Sequence, residues 1–429
     1  MNFRRCSRKC RPAGEYYFTA SLILLLLLLL SCSRETGKVN HSFRVIDEDG
    51  TPTALTSGGP KYVEPIFDYE PVATIQQDDD EEETLLYRPG FFFMDEGGCF
   101  YVEDIGNDRV AVFNPEGYFI RSFGREGDGP GEFRSFRILS VRNRVVAVFD
   151  RRHRTTSLFQ TDGTLLKTCS SPNVGRDLDG IYPGPEGSMI LTTVVSEDRD
   201  QSDEGAERYE GRQIAVMSSR GDTLSFIETP KIKTGYVWYD PNAPMAVRLE
   251  YPFHGRPQAL YVPGKGILVT TGREAVLEWY DLRGYLEQRV RVDMTREPVT
   301  VQDRADIYDR WDRRIEDAPD ARFRRSIRRH RELTVIPDTK DFCSRIIVDD
   351  YGYIWIQKTG DTGLMSEKDS VPFRVLSPEG EYLGDTDWPT YSGTLSQGHY
   401  LTSHYDEEAG VRVLVAYRIR PVVSSLHYP

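Results

Sequence analysis

A unit made of several short apolar stretches recurs in this chain after 46 residues without a gap. The first copy runs from Cys99 to Gly117 and the second from Val145 to Gly163. Each copy opens with an apolar stretch that ends in Asp, and each closes with Phe four positions before Gly. A repeat of roughly 40 to 50 residues predicts small sheets that stack on one another, because one four-stranded sheet cannot bury both of its faces alone.

The number of tight turns next to apolar stretches indicates the number of sheets. Six inner turns occur, at Glu96-Gly97, Arg142-Asn143, Glu186-Gly187, Gly264-Lys265, Tyr351-Gly352 and Gln397-Gly398. An outer turn, in which Gly follows an aromatic or apolar residue by four positions, occurs only five times, after Phe113, Phe159, Met217, Tyr280 and Leu376. The sixth sheet therefore lacks an outer strand, because the chain ends soon after residues 411–417.

The segment 71–75, which precedes the first unit, supplies the missing strand. Pairing it with 411–417 would complete the sixth sheet and remove two exposed edges, as closure of a ring requires. The sequence therefore predicts an all-β fold, a six-bladed β-propeller closed by an N-terminal strand on the last blade. An open array, or five blades with an appendage, is the alternative.

Two insertions interrupt the repeats. The polar segment from Ser196 to Gly211 predicts a solvent loop that lengthens a hairpin. Between residues 302 and 333 the apolar residues change to helical spacing, as at Ile307, Trp311 and Ile315, which predicts a small insertion of two amphipathic helices folded over one face of the ring. The carboxylate run 78–83 is interpreted as a solvated turn, because consecutive like charges seldom converge on one ion.

The N-terminus has the pattern of an export signal. Five basic residues precede an apolar run at 22–30, and residues 1–31 are predicted to be a signal peptide. The residues just before Cys32 resemble the lipobox of bacterial lipoproteins, in which the signal is removed before the Cys and that Cys receives the lipid. We expect lipidation of Cys32, a flexible tether over 32–60, the propeller over 61–421 and a C-terminal tail over 422–429. An ordinary signal peptide or an N-terminal anchor helix is the alternative.

Charge and composition exclude several classes of protein. Removal of residues 1–31 takes away five basic residues and one acidic residue, so the net charge of −13 becomes −17. A body this acidic does not bind nucleic acid through its phosphates, and a mean hydropathy of −0.49 excludes a polytopic membrane protein. Cys99, Cys169 and Cys343 remain after processing, without metal-ligand spacing, so free thiols are favoured over a disulfide framework.

The glycine-rich string from Gly124 to Phe133 is the most distinctive motif. Its glycines suit a crossing from one blade to the next, and the Lys-Ser/Thr ending of a phosphate-binding loop is absent. Preceded by a strand and turn of matching pattern, it resembles an NHL-type repeat, whose structural positions here are Asp104, Asn107, Arg109, Gly127, Gly129, Pro130 and Gly131. With the lipobox, the whole chain resembles the six-bladed β-propeller lipoproteins of bacteria. That resemblance implies a cell-envelope protein that offers propeller faces for binding.

Few residues suggest chemistry. Asp104 and Asp150 are expected to accept hydrogen bonds from the backbone of the turn that follows each of them. His153 is the best-placed binding candidate, together with Arg151, although adjacent arginines lower the proton affinity of a histidine and repel a metal ion. Arg325 and Arg328 belong to a basic patch on the second helix, which is either a docking site for an anionic ligand or partner or a solvated face. The sequence predicts no catalytic residue, metal site or cofactor.

The functional prediction is a lipid-anchored, extracytoplasmic propeller that acts as a binding or scaffold module in the bacterial cell envelope. Its expected partners are the membrane, through the lipid, and a protein or small polar ligand on one propeller face. Ser33 after the lipidated Cys slightly favours the outer membrane. The alternative is a metal-dependent hydrolase or lyase with its site at the axial channel, because fold alone never assigns activity.

Overall fold

Six β-sheets and two α-helices organise the part of the chain that the structure describes. The structure is a computed structural model, and the described residues are 40–75, 77, 82–170, 178–202, 205–220, 222–239, 247–360, 370–390, 393–406, 411–426 and 428. The predicted signal peptide, Cys32 and most of the carboxylate run lie outside these residues. None of the described helices is long and apolar enough to cross a membrane.

The first two sheets follow the sequence repeat. Three strands precede them, β1 (Ser42–Glu48), β2 (Thr51–Ser57) and β3 (Phe67–Thr74). The first sheet contains β4 (Pro89–Met94), β5 (Phe100–Asp104), β6 (Arg109–Phe113) and β7 (Phe119–Phe123). The second contains β8 (Phe136–Arg142), β9 (Val145–Asp150), β10 (Thr155–Gln160) and β11 (Leu165–Ser170). Both are four-stranded and antiparallel, with the strands in chain order.

The third sheet is enlarged by a long hairpin. Its strands are β12 (Leu178–Pro183), β13 (Met189–Ser202), β14 (Gly205–Met217), β15 (Thr223–Glu228), β16 (Ile232–Trp238) and β17 (Val247–Glu250). β15 pairs with the second half of β14, and β16 pairs with its first half. The prediction that Ser196–Gly211 lengthens a hairpin is confirmed, but its described residues continue the two strands instead of forming a solvent loop. Its charged side chains pair across strands instead, as Lys233 does with Glu207 at 2.5 Å.

The fourth sheet recruits the segment that was expected to be a tether. Its own strands are β18 (Gln258–Val262), β19 (Gly266–Thr270), β20 (Val276–Tyr280) and β21 (Leu286–Asp293). β2 pairs in parallel with β21, and β1 pairs antiparallel with β2. The prediction of a flexible tether is wrong for Ser42–Ser57, because Ala54 and Leu55 are buried and Ala54 packs in one cluster with Val290 of β21.

Two helices follow the fourth sheet, α1 (Val301–Glu316) and α2 (Ala321–Leu333), which confirms the helical insertion. Thr300 and Asp303 form a reciprocal capping box at the start of α1, so two backbone N–H groups that a helix leaves unpaired find acceptors. Ile307 and Trp311 of α1 are buried against Phe253, which lies between the third and fourth sheets. This apolar contact fixes α1 on the sheets.

The last two sheets use both ends of the described chain. The fifth contains β22 (Arg345–Val348), β23 (Ile354–Gln357), β24 (Val371–Leu376) and β25 (Tyr382–Trp388). The sixth contains β26 (Gly393–Ser396), β27 (His399–Asp406), β28 (Val411–Pro421) and, as its fourth strand, β3. β3 pairs antiparallel with β28, with Thr74 opposite Val415 and Ala73 opposite Ala416. The pairing predicted between 71–75 and 411–417 is therefore present.

The predicted C-terminal tail packs into the core. Leu426 and Tyr428 are buried, and the Tyr428 ring lies 4.9 Å from the ring of Phe67 on β3. The Tyr428 hydroxyl donates a hydrogen bond to Oδ2 of Asp349 at 3.0 Å. The tail prediction is wrong for these residues because two large apolar side chains find an aromatic cluster to fill.

The apolar core is divided among the seams between neighbouring sheets. Phe123 and Phe136 share a cluster between the first and second sheets, and five further clusters join the second to the third, the third to the fourth, the fourth to the fifth, the fifth to the sixth, and the sixth to the first. The cluster at the last of these seams contains Leu414 of β28 and Phe92 of β4. Each sheet thus has an apolar contact with two neighbours.

Candidate functional site

A cavity of about 610 Å³ is lined by the first strand of each of the six sheets. One side chain from each of these strands illustrates the arrangement: Phe93, Val141, Tyr182, Tyr261, Ile347 and Leu395. The lining includes consecutive residues of some of these strands, such as Leu139 to Arg142 of β8 and Arg345 to Val348 of β22. The volume lies within the range of about 300–1,000 Å³ that is typical of small-molecule sites.

The cavity wall combines aromatic surface with polar groups. The rings of Tyr182 and Tyr261, from the third and fourth sheets, lie 6.3 Å apart in an edge-on arrangement. Burial raises the pKa of both Tyr hydroxyls, so both remain protonated and able to donate. Gln258 and Arg345 add an amide and a guanidinium to the same lining. Such a surface suits a ligand with an apolar body and a few polar groups.

An ion pair spans one end of the cavity. Arg142, at the end of β8 in the second sheet, pairs with Asp350, which follows β22 in the fifth sheet. Both residues line the cavity, and Oδ2 of Asp350 also accepts a hydrogen bond from the backbone N–H of Gln397 at 2.6 Å. The second and fifth sheets are not neighbours in chain order, so this pair reaches across the cavity instead of along its wall.

The turn that carries Arg142 is tightly constrained. Asn143 and Arg144 both have positive φ, at 51° and 61°, which is the conformation of a type I′ hairpin turn. The Asn143 N–H donates to Oε1 of Glu96 in the first sheet at 2.8 Å. The position of Arg142 is therefore fixed by its own turn and by a neighbouring sheet.

Asp104, Asn107 and Arg109, which resemble positions of an NHL-type repeat, form a structural network outside the cavity. Oδ2 of Asp104 accepts hydrogen bonds from Nδ2 of Asn107 at 2.8 Å and from Nε of Arg109 at 2.7 Å. The backbone N–H that Asp104 accepts belongs to Tyr87, which precedes β4, so the expectation of a donor in the following turn is wrong for Asp104. On the side of the following turn, the donors to Asp104 are the side chains of Asn107 and Arg109.

Asp150 makes the expected contacts with the turn that follows it. Its carboxylate accepts hydrogen bonds from the N–H groups of Arg152 at 2.7 Å and His153 at 3.2 Å. It also accepts from the N–H of Arg134, which precedes its strand pair as Tyr87 does in the first sheet. The equivalent aspartates of the two repeats thus join a turn to the segment that enters the same sheet.

The glycine string owes its composition to two different demands. Gly131 has φ of 78°, a conformation that favours glycine. At Gly127 a Cβ would displace the Glu132 carboxylate, because its Oε2 would lie only 2.0 Å away. That carboxylate accepts from the N–H of Gly129 at 2.9 Å, and Pro130 lies between these contacts. The string therefore forms the connection between the first and second sheets, in a conformation held by its own contacts.

His153 is held between two carboxylates, contrary to the expectation that cations surround it. Its Nδ1 lies 3.0 Å from Oδ2 of Asp150, and its Nε2 lies 2.8 Å from Oδ1 of Asp128. Asp128 also receives Nε of Arg134 at 2.7 Å, and the hydrogen bonds from Arg134 and His153 lower its pKa to about 2. Sequence neighbours misled the prediction because the glycine string brings Asp128 to the ring. Nε2 of His153 thus holds the string through Asp128, while Nδ1 contacts Asp150 at the end of β9.

The other predicted binding residues lie apart from the cavity. Arg151, Arg325 and Arg328 are exposed, and none of them lines it. Two neighbours in the basic patch are paired locally, Arg329 with Glu332 at 3.0 Å and Arg331 with Asp312 of α1. Sequence reasoning missed Tyr182, Tyr261 and Gln258 as cavity residues. The available signal was their position in strands that precede an inner turn.

The cysteines and acidic groups form no metal centre in the described residues. Cys99, Cys169 and Cys343 are free thiols, and burial raises the pKa of Cys343 to about 12. Within the same residues, no group of three or more His, Cys, Asp or Glu side chains is arranged to hold a metal ion.

Comparison with known proteins gives structural similarity only. Neither a family model nor a curated protein matches the chain. Similar solved structures include a DUF4221 family member from Bacteroides vulgatus, with 12% identity over 83% of this chain and 99% of that one and a TM-score of 0.46. A Bacteroides fragilis protein named as exported has 12% identity over 83% and 96%, with a TM-score of 0.45. Virginiamycin B lyase from Staphylococcus aureus has 9% identity over 82% and 99%, with a TM-score of 0.35. At these values the similarity assigns no function to the chain.

Proposed function

We propose that the chain is a closed six-bladed β-propeller that binds a small ligand in its axial cavity. The single observation that carries this proposal is that one cavity is lined by the first strand of every sheet. The cyclic order of the apolar clusters supports it, because the sixth sheet packs against the first as well as against the fifth. β3 completes the sixth sheet, so the edge of β28 is covered.

The cavity favours an amphipathic ligand. Its aromatic and aliphatic lining suits an apolar body, while Gln258, Arg345 and the Arg142–Asp350 pair offer hydrogen bonds and charge. A site of this kind binds through a few placed polar groups on a largely apolar wall. The chain therefore acts as a binding module whose specificity lies in the first strand of each sheet.

A cavity-filling variant tests the binding site. Small molecules from an envelope extract would be incubated with the purified chain, and those retained after washing would be identified by mass spectrometry. Ser140→Trp should abolish retention, because Ser140 lines the cavity and an indole would occupy it. Leu166→Trp on the outer strand β11 is the matched control, since Leu166 is 48% exposed. Retention of the same compounds by all three proteins would refute the proposed site.

The lipid anchor at Cys32 and the envelope location are part of the same proposal. They rest on the N-terminal pattern of basic residues, apolar run and Cys. In a bacterial host, the wild-type chain should fractionate with membranes and Cys32→Ser should be released, because the acyl chains would be lost. Cys169→Ser is the control and should stay with the membranes. Membrane retention of Cys32→Ser would contradict the anchor.

Metal analysis separates this proposal from the enzyme alternative. Purified protein with a tightly held divalent metal in stoichiometric amount, and with ligands from several sheets, would favour a metal-dependent hydrolase or lyase. A binding module requires retention of the ligand unchanged, which the same mass spectra would reveal.

A further inference from the structure

A second cavity, of about 330 Å³, lies between the fourth and fifth sheets and shares no lining residue with the axial cavity. Four segments build it: the loop after β19, the chain that leaves β21, the loop before β22, and neighbouring positions of β23 and β24. Its basic lining residues are Arg273, Arg291, Arg296, Lys340, Lys358 and Arg374, and its acidic ones are Glu274, Asp293, Glu297 and Asp341. This excess of cations occurs on a chain whose net charge is −13.

Arg374 lines this cavity and is buried, with 5% of its surface exposed. Its Nη1 donates to the carbonyl of Phe342 at 2.9 Å, and its Nη2 donates to Oε1 of Glu297 at 2.7 Å. Its Nε is buried and finds no hydrogen-bond partner among the described residues. A buried guanidinium is costly without full pairing, so Arg374 retains capacity for an anionic group.

Two carboxylates serve four cations around the cavity. Oε1 of Glu297 lies 2.7 Å from Arg374 and 3.7 Å from Nζ of Lys358. Asp341 lies 3.3 Å from Arg296 and 4.0 Å from Arg273. Lys358 has a further partner in the fifth sheet, Asp385 at 2.6 Å. Arg291 pairs with Glu48 at 2.6 Å and Lys340 pairs with Asp303 at 2.9 Å, so the least compensated cations are Arg273 and Arg296, which share the carboxylate of Asp341.

The remaining wall of the cavity is apolar. Ala275, Val276, Val292 and Met294 contribute it, beside the ring of Phe342. The Phe342 ring centroid lies 5.5 Å from the Arg374 guanidinium, so the ring also holds that group in place. The lining therefore suits an organic anion better than a bare inorganic ion.

We propose that this inter-sheet cavity binds a small organic dianion, a phosphate monoester or a dicarboxylate, with an anionic group against Arg374. Guanidinium groups bind both chemistries through paired N–H donors. Arg273 and Arg296, at the rim, would approach the second charge. The proposed site is distinct from the axial cavity, because the two cavities share no lining residue.

Calorimetry and thermal unfolding with inorganic phosphate, glycerol phosphate and succinate test the site at constant ionic strength, with chloride and acetate as monoanion controls. At least one dianion should bind and raise Tm, and binding should weaken at least tenfold in Arg374→Met. Because Arg374→Met removes a buried group, the double variant Arg273→Met/Arg296→Met provides a second test at side chains that are 41% and 44% exposed. Arg283→Met is the charge-matched control, because Arg283 is 79% exposed and lies in an outer turn of the fourth sheet.

The outcomes separate ligand class and site. Binding of phosphate compounds alone supports a phosphate monoester, and binding of succinate alone supports a dicarboxylate. Absence of dianion binding, or equal affinity in the wild type and every variant, overturns the proposal. Ser140→Trp should bind the dianion normally, so failure of the axial site leaves this one measurable.

Discussion

Two N-terminal elements join the sheets in different ways. β3 becomes the fourth strand of the sixth sheet and pairs antiparallel with β28, whereas β1 and β2 extend a fourth sheet that already has four strands. Phe67 of β3 is buried and stacks at 5.0 Å on Trp355. On β1, in contrast, Val45 is 61% exposed. β3 therefore completes a sheet, and the β1–β2 hairpin covers one that is complete without it.

The segment between these elements links them along the edge of the fifth sheet. The N–H groups of Lys61 and Tyr62 donate to carbonyls of β25 at 3.0 and 2.8 Å, and the N–H of Ile66 donates to Asp385 at 3.2 Å. Residues 51–74 thus contact the fourth, fifth and sixth sheets in turn, and we call them the N-terminal strap. We expect the beginning of the strap to be dispensable for folding and its end to be essential.

Truncation should separate the two elements by the largest effect. A chain that begins at residue 59 lacks β1 and β2 and should unfold cooperatively with a lower Tm than a chain that begins at residue 40. A chain that begins at residue 82 also lacks β3 and should lose its cooperative transition and aggregate, because the edge of β28 is unpaired. Circular dichroism on heating and size-exclusion chromatography measure both. Equal stability of the two truncated chains would break the comparison.

Single core substitutions should reproduce the difference at smaller scale. Phe67→Ala in β3 should lower the free energy of unfolding by about 3–5 kcal/mol, since the ring is buried in an aromatic cluster. Leu55→Ala in β2 should cost less, about 2–3 kcal/mol, at the margin of the fourth sheet. Urea titration gives both values, and Val45→Ala is the exposed control. A larger loss for Leu55 than for Phe67 would contradict the assigned roles.

The hydrogen bond of Tyr428, whose ring packs against Phe67 of β3, should contribute moderately to the free energy of unfolding. Tyr428→Phe removes the hydrogen bond to Asp349, which also accepts from Nε1 of Trp355 at 2.8 Å. The loss should be about 1 kcal/mol, because the ring itself remains packed. Tyr285→Phe, at a position 66% exposed, should change nothing. Equal urea midpoints for Tyr428→Phe and the wild type would show that the hydroxyl contributes no stability.

The smallest effect concerns pH and the strap. Burial alone would raise the pKa of Glu381. Its carboxylate accepts hydrogen bonds from Nζ of Lys61 at 2.9 Å and Nε2 of His41 at 3.0 Å, and these contacts lower that pKa. A lowered folded-state pKa gives stability that is present above the unfolded pKa and is lost as pH falls through the folded value. Between pH 6 and pH 3 the wild type should therefore lose more stability than Glu381→Gln. Parallel pH profiles for the two proteins would refute this contribution.

Asp349 should respond with the opposite sign. Burial raises its pKa, although hydrogen bonds from Trp355 and Tyr428 oppose the shift. A raised folded-state pKa means that stability falls as pH rises from the unfolded pKa of the group through the folded one. Asp349, which contacts Tyr428, and Glu381, which contacts Lys61 of the strap, thus contribute to the pH profile in opposite directions.

Sequence reasoning succeeded where the signal was a count and failed where it depended on distant partners. The missing outer turn was enough to pair 71–75 with β28, because the last sheet lacked one strand and 71–75 had no sheet of its own. Ser42–Ser57 is rich in Ser and Thr and resembles a linker, and its burial depends on β21, more than 200 positions later. Asp128, one of the two carboxylates beside His153, comes from outside the loop of that histidine for the same reason. Local composition does not report contacts of this kind.

The β1–β2 hairpin also determines how the protein would respond to tension on its N-terminus. Ser42 pairs with Ser57 at the open end of the hairpin, so a pull at His41 would separate β1 from β2 one hydrogen bond after another. Residues 42–57 would release about 50 Å of extended chain before the load reached β3. Under tension the hairpin would therefore unfold first, while β3 stays paired with β28 in the sixth sheet.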